Sequence, residues 1–406
     1  MKVKKIINDP VYGFISIKSK LLLKIIDHPY FQRLRRIKQL GLTDFVYPGA
    51  HHTRFHHALG AMHLMDITLN TLKAKGHKIS KQEYIASLAA ILLHDVGHGP
   101  FSHALESTIL KGIHHEKISL LLMEELNKAL DGKLSLAISI FSDTYPRRFF
   151  HQLVSSQLDM DRLDYLQRDV YFTGVMEGKI GFDRIIRMLD IVDDKIVVEE
   201  KGIYSIENFL NARRLMYWQV YLHKTTVSTE QMLIKLILRA RALALKGEEI
   251  YTTPALSHFL KTDVQWADFG IDSDALQKFA QLDDYDIWAC VKVWANHTDK
   301  VLRVLSGMFL NRELFKTILS NEPASEADIQ QISNNITERF GVTAEDAKFL
   351  FGYGVISNAG YVSNAENILI KLKTGSVQDV AQASDLPNIK ALCQVVKKYY
   401  LCYPRE

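Results

Sequence analysis

The sequence predicts a mainly α-helical protein with small β-hairpins and a C-terminal α+β lobe. Apolar residues recur at helical spacing over long stretches, above all from Ser205 to about Lys246, where neither Gly nor Pro interrupts. Strand-like runs are short and end at turn residues. The texture changes near Asn321, where short helices begin to alternate with hairpin-like segments. With 406 residues, 47% hydrophobic and 24% charged, the composition is that of a soluble globular protein. The length suits two domains, or one large core with an appended lobe. The expected division is a core over 1–250, a helical extension over 251–320 and a small α+β lobe over 321–406.

Taken in order, residues 4–17 read as a hairpin, with Lys5-Ile6-Ile7 and Phe14-Ile15-Ser16-Ile17 flanking Asn8-Asp9-Pro10 and Gly13. A helix follows from about Ser19. A second starts at Pro29 with Asp27 as its cap. Its basic residues, Arg33, Arg35, Arg36 and Lys38, read as a solvated face or an anion site. Residues 42–56 form a loop holding Tyr47-Pro48-Gly49, His51, His52, Arg54 and His56, and a helix runs from near His57 to about Lys75. The helix from Ile85 to His94 is almost wholly Ala, Ile and Leu, which places it in the interior. Helices are expected over 114–130 and 150–172, then a strand pair from Ile191 to Val198 closed by Asp193-Asp194. The uninterrupted helix from Ser205 comes next, followed by helices at 273–282, 284–296 and 299–320. The last lobe should contain helices at 325–339 and 343–350, a hairpin around Ile368–Val377, a helix at 385–392 and an edge strand at Lys398–Tyr403.

A net charge of +4 is too mild to argue nucleic-acid binding by itself and fits an anionic small substrate in a local positive pocket. Three scattered cysteines, Cys290, Cys393 and Cys402, provide neither a disulfide framework nor a paired-Cys zinc pattern. With no apolar leader and no membrane-length apolar run, a cytoplasmic protein without membrane contact is expected.

The chemistry is concentrated in His94-Asp95-Val96-Gly97-His98-Gly99-Pro100-Phe101-Ser102-His103, where a buried helix ends in imidazoles and a carboxylate. His57, His94, Asp95 and Asp161 combine the donors that suit one divalent transition ion, Mn, Fe, Zn or Ni. His94 and Asp95 are about 100° apart on a helix and can both turn inward at its end. The other role open to each is a hydrogen-bonded core residue. Around them His98, His103, Glu106 and His115 suit acid catalysis near neutral pH, or the orientation of metal ligands. Arg162, Tyr165 and Asp169 share one helix face, and Arg213, Tyr217 and Tyr221 share another. These faces fit phosphate pairing and sugar contact, or interhelix packing.

With Phe31-Gln32-Arg33-Leu34-Arg35, Pro48-Gly49-Ala50, Arg54-Phe55, His57, His94 through His103 and Asp159-Met160-Asp161-Arg162-Leu163-Asp164-Tyr165, the chain resembles the HD-domain phosphohydrolases over roughly residues 4–245. It is most similar to the deoxynucleoside triphosphate triphosphohydrolase branch, with its SAM-and-HD-domain and bacterial dGTPase-like members, here with the core first and no SAM domain before it. The resemblance implies an HD-domain helical core, a metal on His57, His94, Asp95 and Asp161, and an α-phosphate among His98, His103, Glu106 and His115. It implies substrate contacts at Gln39, Leu40, Arg54, Arg162, Tyr165, Asp169, Arg213 and Tyr221, with Tyr217 beside them, and Mg²⁺ as an accessory on the substrate phosphates. It further implies a guanine-nucleotide activator at Lys5, Ile6, Asp27, Gln32 and Arg35, and a homo-oligomer, dimer or tetramer. Vertebrate members have Asp where this chain has Glu106, Lys at Arg162, His at Tyr217 and Gln at Leu222. The last two changes bear on base and sugar preference. The expected reaction is metal-dependent hydrolysis of a dNTP to deoxynucleoside and inorganic triphosphate, with His103 as proton donor to the leaving oxygen. The alternatives are another HD phosphohydrolase, acting on a phosphomonoester or phosphodiester, and a non-catalytic nucleotide- or nucleic-acid-binding regulator.

Overall fold

The first strand pair follows from the turn chemistry. In the computed structural model, which describes residues 5–102, 106, 108–110, 112–361 and 367–405, β1 (Lys5–Asp9) and β2 (Gly13–Ile17) pair antiparallel around a turn that Asp9 closes. Its Oδ1 accepts from the backbone N–H groups of Val11 and Tyr12, at 2.9 and 3.0 Å. The helix Lys20–Asp27 starts on Ser19, whose side chain accepts from Leu21. The next begins at Pro29, but its cap is His28 and not Asp27: the His28 side chain accepts from Tyr30, and Asp27 still belongs to the helix before. That second helix lasts only to Gln32 and tightens into a 3₁₀ turn over Arg33–Arg36.

The helix expected from His57 starts earlier, at Arg54, and runs to Ala74; Thr53 donates its N–H to the His56 Nδ1, 3.1 Å away, and so fixes the start. The helix Lys81–Leu93 opens with a capping box between Ser80 and Glu83, and is buried continuously from Ala86 to Leu93, as its composition demands. His115–Ala129 forms the next long helix. The segment expected as one helix over 150–172 is two, Phe149–Val154 and Met160–Thr173, because Asp159 acts as a cap for the second, accepting from Arg162 N at 2.7 Å and Ser156 N at 2.7 Å.

Two further expectations fail for one reason: neither Gly nor Pro marks the break. The long helix from Ser205 is divided. Ile203–Met216 passes into a π-helical turn at Tyr217–Tyr221, and a new helix, Lys224–Leu245, starts on the His223 side chain. The helix expected over 299–320 ends at Leu310, and Lys316–Ser320 is strand β5.

The sheets tie the chain's ends together. β3 (Leu189–Val192) and β4 (Lys195–Glu199) form the expected pair, closed by Asp193 and Asp194 at positive φ. The hairpin β7 (Leu369–Lys371) and β8 (Val377–Asp379) joins it through a parallel β4–β7 contact. The last strand, β9 (Val396–Tyr403), lies between β5 and β6 (Gly352–Asn358), so it is central and not an edge. Among the described residues no helix is long and apolar enough to cross a membrane.

The helices Arg54–Ala74 and Met160–Thr173 pack closely across Gly60. A Cβ there would collide with Asp164 Oδ1 and Arg168 Nη2. Helix propensity alone would make Gly60→Ala favourable by about 1 kcal/mol. The buried collision outweighs it, and the variant is expected to lose about 2–3 kcal/mol. Urea unfolding with an earlier midpoint and an unchanged slope is the expected readout; an unchanged or later midpoint would contradict the packing.

Candidate metal centre and active-site cleft

Two helices, Arg54–Ala74 and Met160–Thr173, and the end of a third, Lys81–Leu93, meet at His57. Its Nε2 lies 3.4 Å from His94 Nε2 and 3.1 Å from Asp161 Oδ1; His94 Nε2 lies 3.5 Å from that same oxygen and 3.3 Å from Asp95 Oδ1. Ligands at about 2.0–2.2 Å from one ion are separated by about 3.0–3.4 Å. His57, His94 and Asp161 therefore have the spacing of three ligands to a single divalent ion, with Asp95 beside them. The tautomers fit as well. His57 Nδ1 donates to Asp164 Oδ2 at 2.8 Å, and His94 Nδ1 donates to the Ile91 carbonyl at 2.7 Å, which leaves both Nε2 atoms facing the shared point.

Asp95 stands between two groups. It is next to the His57–His94–Asp161 cluster, and it also lies with His98 and His115 in a second set whose donor atoms fall within 4.8 Å of one another. Arg54 pairs with its Oδ2 and bonds Ser102 Oγ through Nε and Nη2, at 3.0 and 2.7 Å. His98 and His115 stack at 3.7 Å, and Glu106 accepts from the His115 backbone N–H at 2.8 Å. His103 lies outside the described residues.

Burial opposes charge throughout this cluster, and the neighbours overcome it. Hydrogen bonds to Asp161 and Asp164 push the His57 imidazole up to about 10. Asp95 and Asp161 raise His94 against the same burial. Bonds from His57 and His94 hold Asp161 well below the usual carboxylate range. His94, Arg54 and His57 bring Asp95 down to about 2.

Beside the cluster is a cleft of about 420 Å³, lined among others by Gln39, Leu40, Arg54, Asp95, His98, His115, Asp161, Arg162, Tyr165, Asp169, Tyr217 and Tyr221. The structure thus brings most of the expected substrate contacts to one wall. Arg213 is the exception. It is buried, its Nη1 donates to Gln157 Oε1 at 2.8 Å, and it does not line the cleft. Lys5, Ile6, Asp27, Gln32 and Arg35 meet elsewhere, at the hairpin and the first helices. Lys5 Nζ is 3.6 Å from Asp27, and Arg35 bonds Gln32 at 2.9 Å and lies over the Phe55 ring.

Several site residues carry no motif signal. Asp169 is gripped on both oxygens, by His52 Nε2 and Tyr221 OH, each at 2.7 Å. Arg33, expected in a solvated face, is buried and donates to the carbonyls of Leu282, Val96 and His98. Phe101 and Ser102 both sit at positive φ, and the Phe101 N–H is held by Asp284 Oδ1 at 2.8 Å, while the other oxygen of Asp284 takes Lys38 N at 2.9 Å. Proximity in sequence could not have revealed Asp284, nearly two hundred residues away.

Residues 180–253 match the family model described as the HD associated region. The fold is similar to a solved phosphohydrolase from Bacteroides thetaiotaomicron, with 55% identity and a TM-score of 0.96 over 99% of this chain and 100% of that one. YwfO of Bacillus subtilis, an uncharacterized protein, is 35% identical over 78% of this chain and 72% of its own length. A Dictyostelium discoideum homolog of the deoxynucleoside triphosphate triphosphohydrolase SAMHD1 is 34% identical over 57% of this chain, which spans just under half (48%) of that protein.

Because the imidazoles carry protons that an ion must displace, metal binding should release at least one proton, and apparent affinity should rise with pH between about 6 and 8. Calorimetric titration with Mn²⁺ in buffers of different ionisation heat measures the release. Stoichiometry near one ion per chain is expected, and pH-independent affinity would contradict the protonated centre.

Proposed function

The chain belongs to the HD-domain phosphohydrolases, and from that premise we propose that it hydrolyses a deoxynucleoside triphosphate to the deoxynucleoside and inorganic triphosphate. The observation carrying this reading is the cleft itself, which Asp95 and Asp161 line together with two guanidinium groups, three tyrosines and Asp169. Its volume is that of a small-ligand site. The SAMHD1 relatives, which are named deoxynucleoside triphosphate triphosphohydrolases, add support.

His57, His94, Asp95 and Asp161 would hold the ion. When bound, it supplies Lewis-acid polarisation of a phosphoryl oxygen. Arg162 offers its positive charge to the triphosphate, and Arg54, already paired with Asp95 and Ser102, positions Asp95 while adding charge at the α-phosphate end. His98 and His115 face the cleft as a stacked pair, with Glu106 holding His115. They position the reacting phosphate and relay its proton, and His103 is assigned as donor to the 5′ oxygen. Tyr165, Tyr217 and Tyr221 bound the sugar with Gln39 and Leu40, and Asp169, fixed by His52, presents its carboxylate there. Arg213 acts behind Tyr165. Lys5, Ile6, Asp27, Gln32 and Arg35 belong to this proposal as the place of a guanine-nucleotide activator between chains of a homo-oligomer.

The test is an assay of the purified protein with each dNTP and rNTP, singly and in pairs, with Mn²⁺, Mg²⁺ or Fe²⁺ and identification of both products. Triphosphate plus deoxynucleoside is expected, and Asp161→Asn should lower kcat by more than the roughly 100-fold that loss of an outer partner causes. Release of orthophosphate or pyrophosphate would move the assignment to a sibling phosphohydrolase activity.

A further inference from the structure

The cleft has a second wall that the roles above leave unused. Thr226 and Glu230 are four residues apart on the helix Lys224–Leu245, hence on one face, and both line the cleft with Gly41, Thr43 and Leu222. Gln39 Oε1 and Thr226 Oγ1 are buried here and have no hydrogen-bond partner among the described residues. Buried polar atoms are normally satisfied, and these two belong to residues that line the cleft, whose ligand can supply the partner. Burial pushes the Glu230 carboxyl up to about 7, and among the described residues no cation pairs with it.

The chemistry of this wall restricts what can face it. Phosphates offer only acceptors and negative charge, and a carboxyl group without a cation repels them. They belong beside Arg54 and Arg162. The tyrosines and Asp169 take the sugar. What remains of a nucleotide is its base, the part rich in N–H donors. Guanine presents N1–H and N2–H₂ side by side, which one carboxylate accepts together. Thymine presents a single N–H between two carbonyls, which the same carboxylate repels. We propose that Glu230 is a specificity-determining residue that reads the nucleobase edge, accepting from guanine and disfavouring thymine, with Thr226 completing the contact. This rests on the nucleotide reading of the cleft given above.

The experiment is a competition at pH 8. An equimolar mixture of dGTP and dTTP with Mn²⁺ exposes both substrates to the same activator, and the early ratio of deoxyguanosine to thymidine reports their relative kcat/KM. The wild-type protein should favour deoxyguanosine, and Glu230→Gln, with unchanged melting temperature and metal content, should lower the ratio at least tenfold, about 1.4 kcal/mol. A wild-type ratio near one, a variant ratio within twofold of wild type, or an equal loss for both nucleotides would overturn the proposal. Should Glu230→Gln not fold, Glu230→Asp, which retracts the carboxylate, must also lower the ratio. If the wild-type protein hydrolyses neither nucleotide, the activity assignment fails on its own. Equilibrium binding of dGTP and dTTP to both proteins must then show the same tenfold change, and equal binding overturns the role of Glu230.

Discussion

The interaction on which the structure most depends is the buried ion pair between Arg168 and Asp164. Neither side chain is exposed, so each charge must be met inside the protein. Arg168 bonds both oxygens of Asp164 at 3.0 Å and reaches Asp9 Oδ2 at 2.8 Å, while Asp164 also holds His57 Nδ1. One network therefore connects the turn of the first hairpin, the crossing of two core helices and the tautomer of a metal-facing imidazole. Removing any member would leave an uncompensated charge in the interior. Gly60 exists at the crossing because only its lack of a side chain leaves room for this pair.

A second constraint comes from outside the core helices. The loop after Leu93 turns through two non-glycine residues at positive φ, a conformation that costs roughly 1–2 kcal/mol per residue. Asp284 offsets this with a charge-assisted bond to Phe101, and Arg33 clamps the same loop by the carbonyls of Val96 and His98 and ties it to that of Leu282. Glycine is required close by for a different reason. A Cβ on Gly97 would strike the backbone of His115 and Ser119, and that close approach is what brings His98 against His115. Residues 251–320, which the sequence suggested only as an extension, are thus part of what shapes the cleft.

How much could be read in advance follows from where the signal resides. His94 and Asp95 were legible as candidates because an imidazole and a carboxylate at the end of an all-apolar helix need a purpose, and His57 and Asp161 because they are ionisable groups against an apolar background on other helices. The hairpins were legible from Asp9-Pro10 and Asp193-Asp194. The π-turn at Tyr217–Tyr221 was not, since it contains neither Gly nor Pro and arises from packing. Nor was β5, whose pairing with β9 depends on residues more than eighty positions away. His52 looked like one of several loop histidines, and only its contact with Asp169 separates it from His51. Glu230 and Thr226 were hidden inside what read as an ordinary amphipathic helix.

The placement of β9 sets an order of events during synthesis. β5 and β6 have no common neighbour until residues 396–403 arrive to fill the gap between them, and β7 adds to β4 only after some 170 intervening residues have been made. Such distant pairings are slow to form, because loop-closure entropy is lost before the contacts repay it. The helices around His57 are complete once residue 173 has been made, while two open strand edges wait much longer for their partner. The vulnerable interval in this protein's biogenesis is therefore late, and it belongs to the sheet rather than to the catalytic centre.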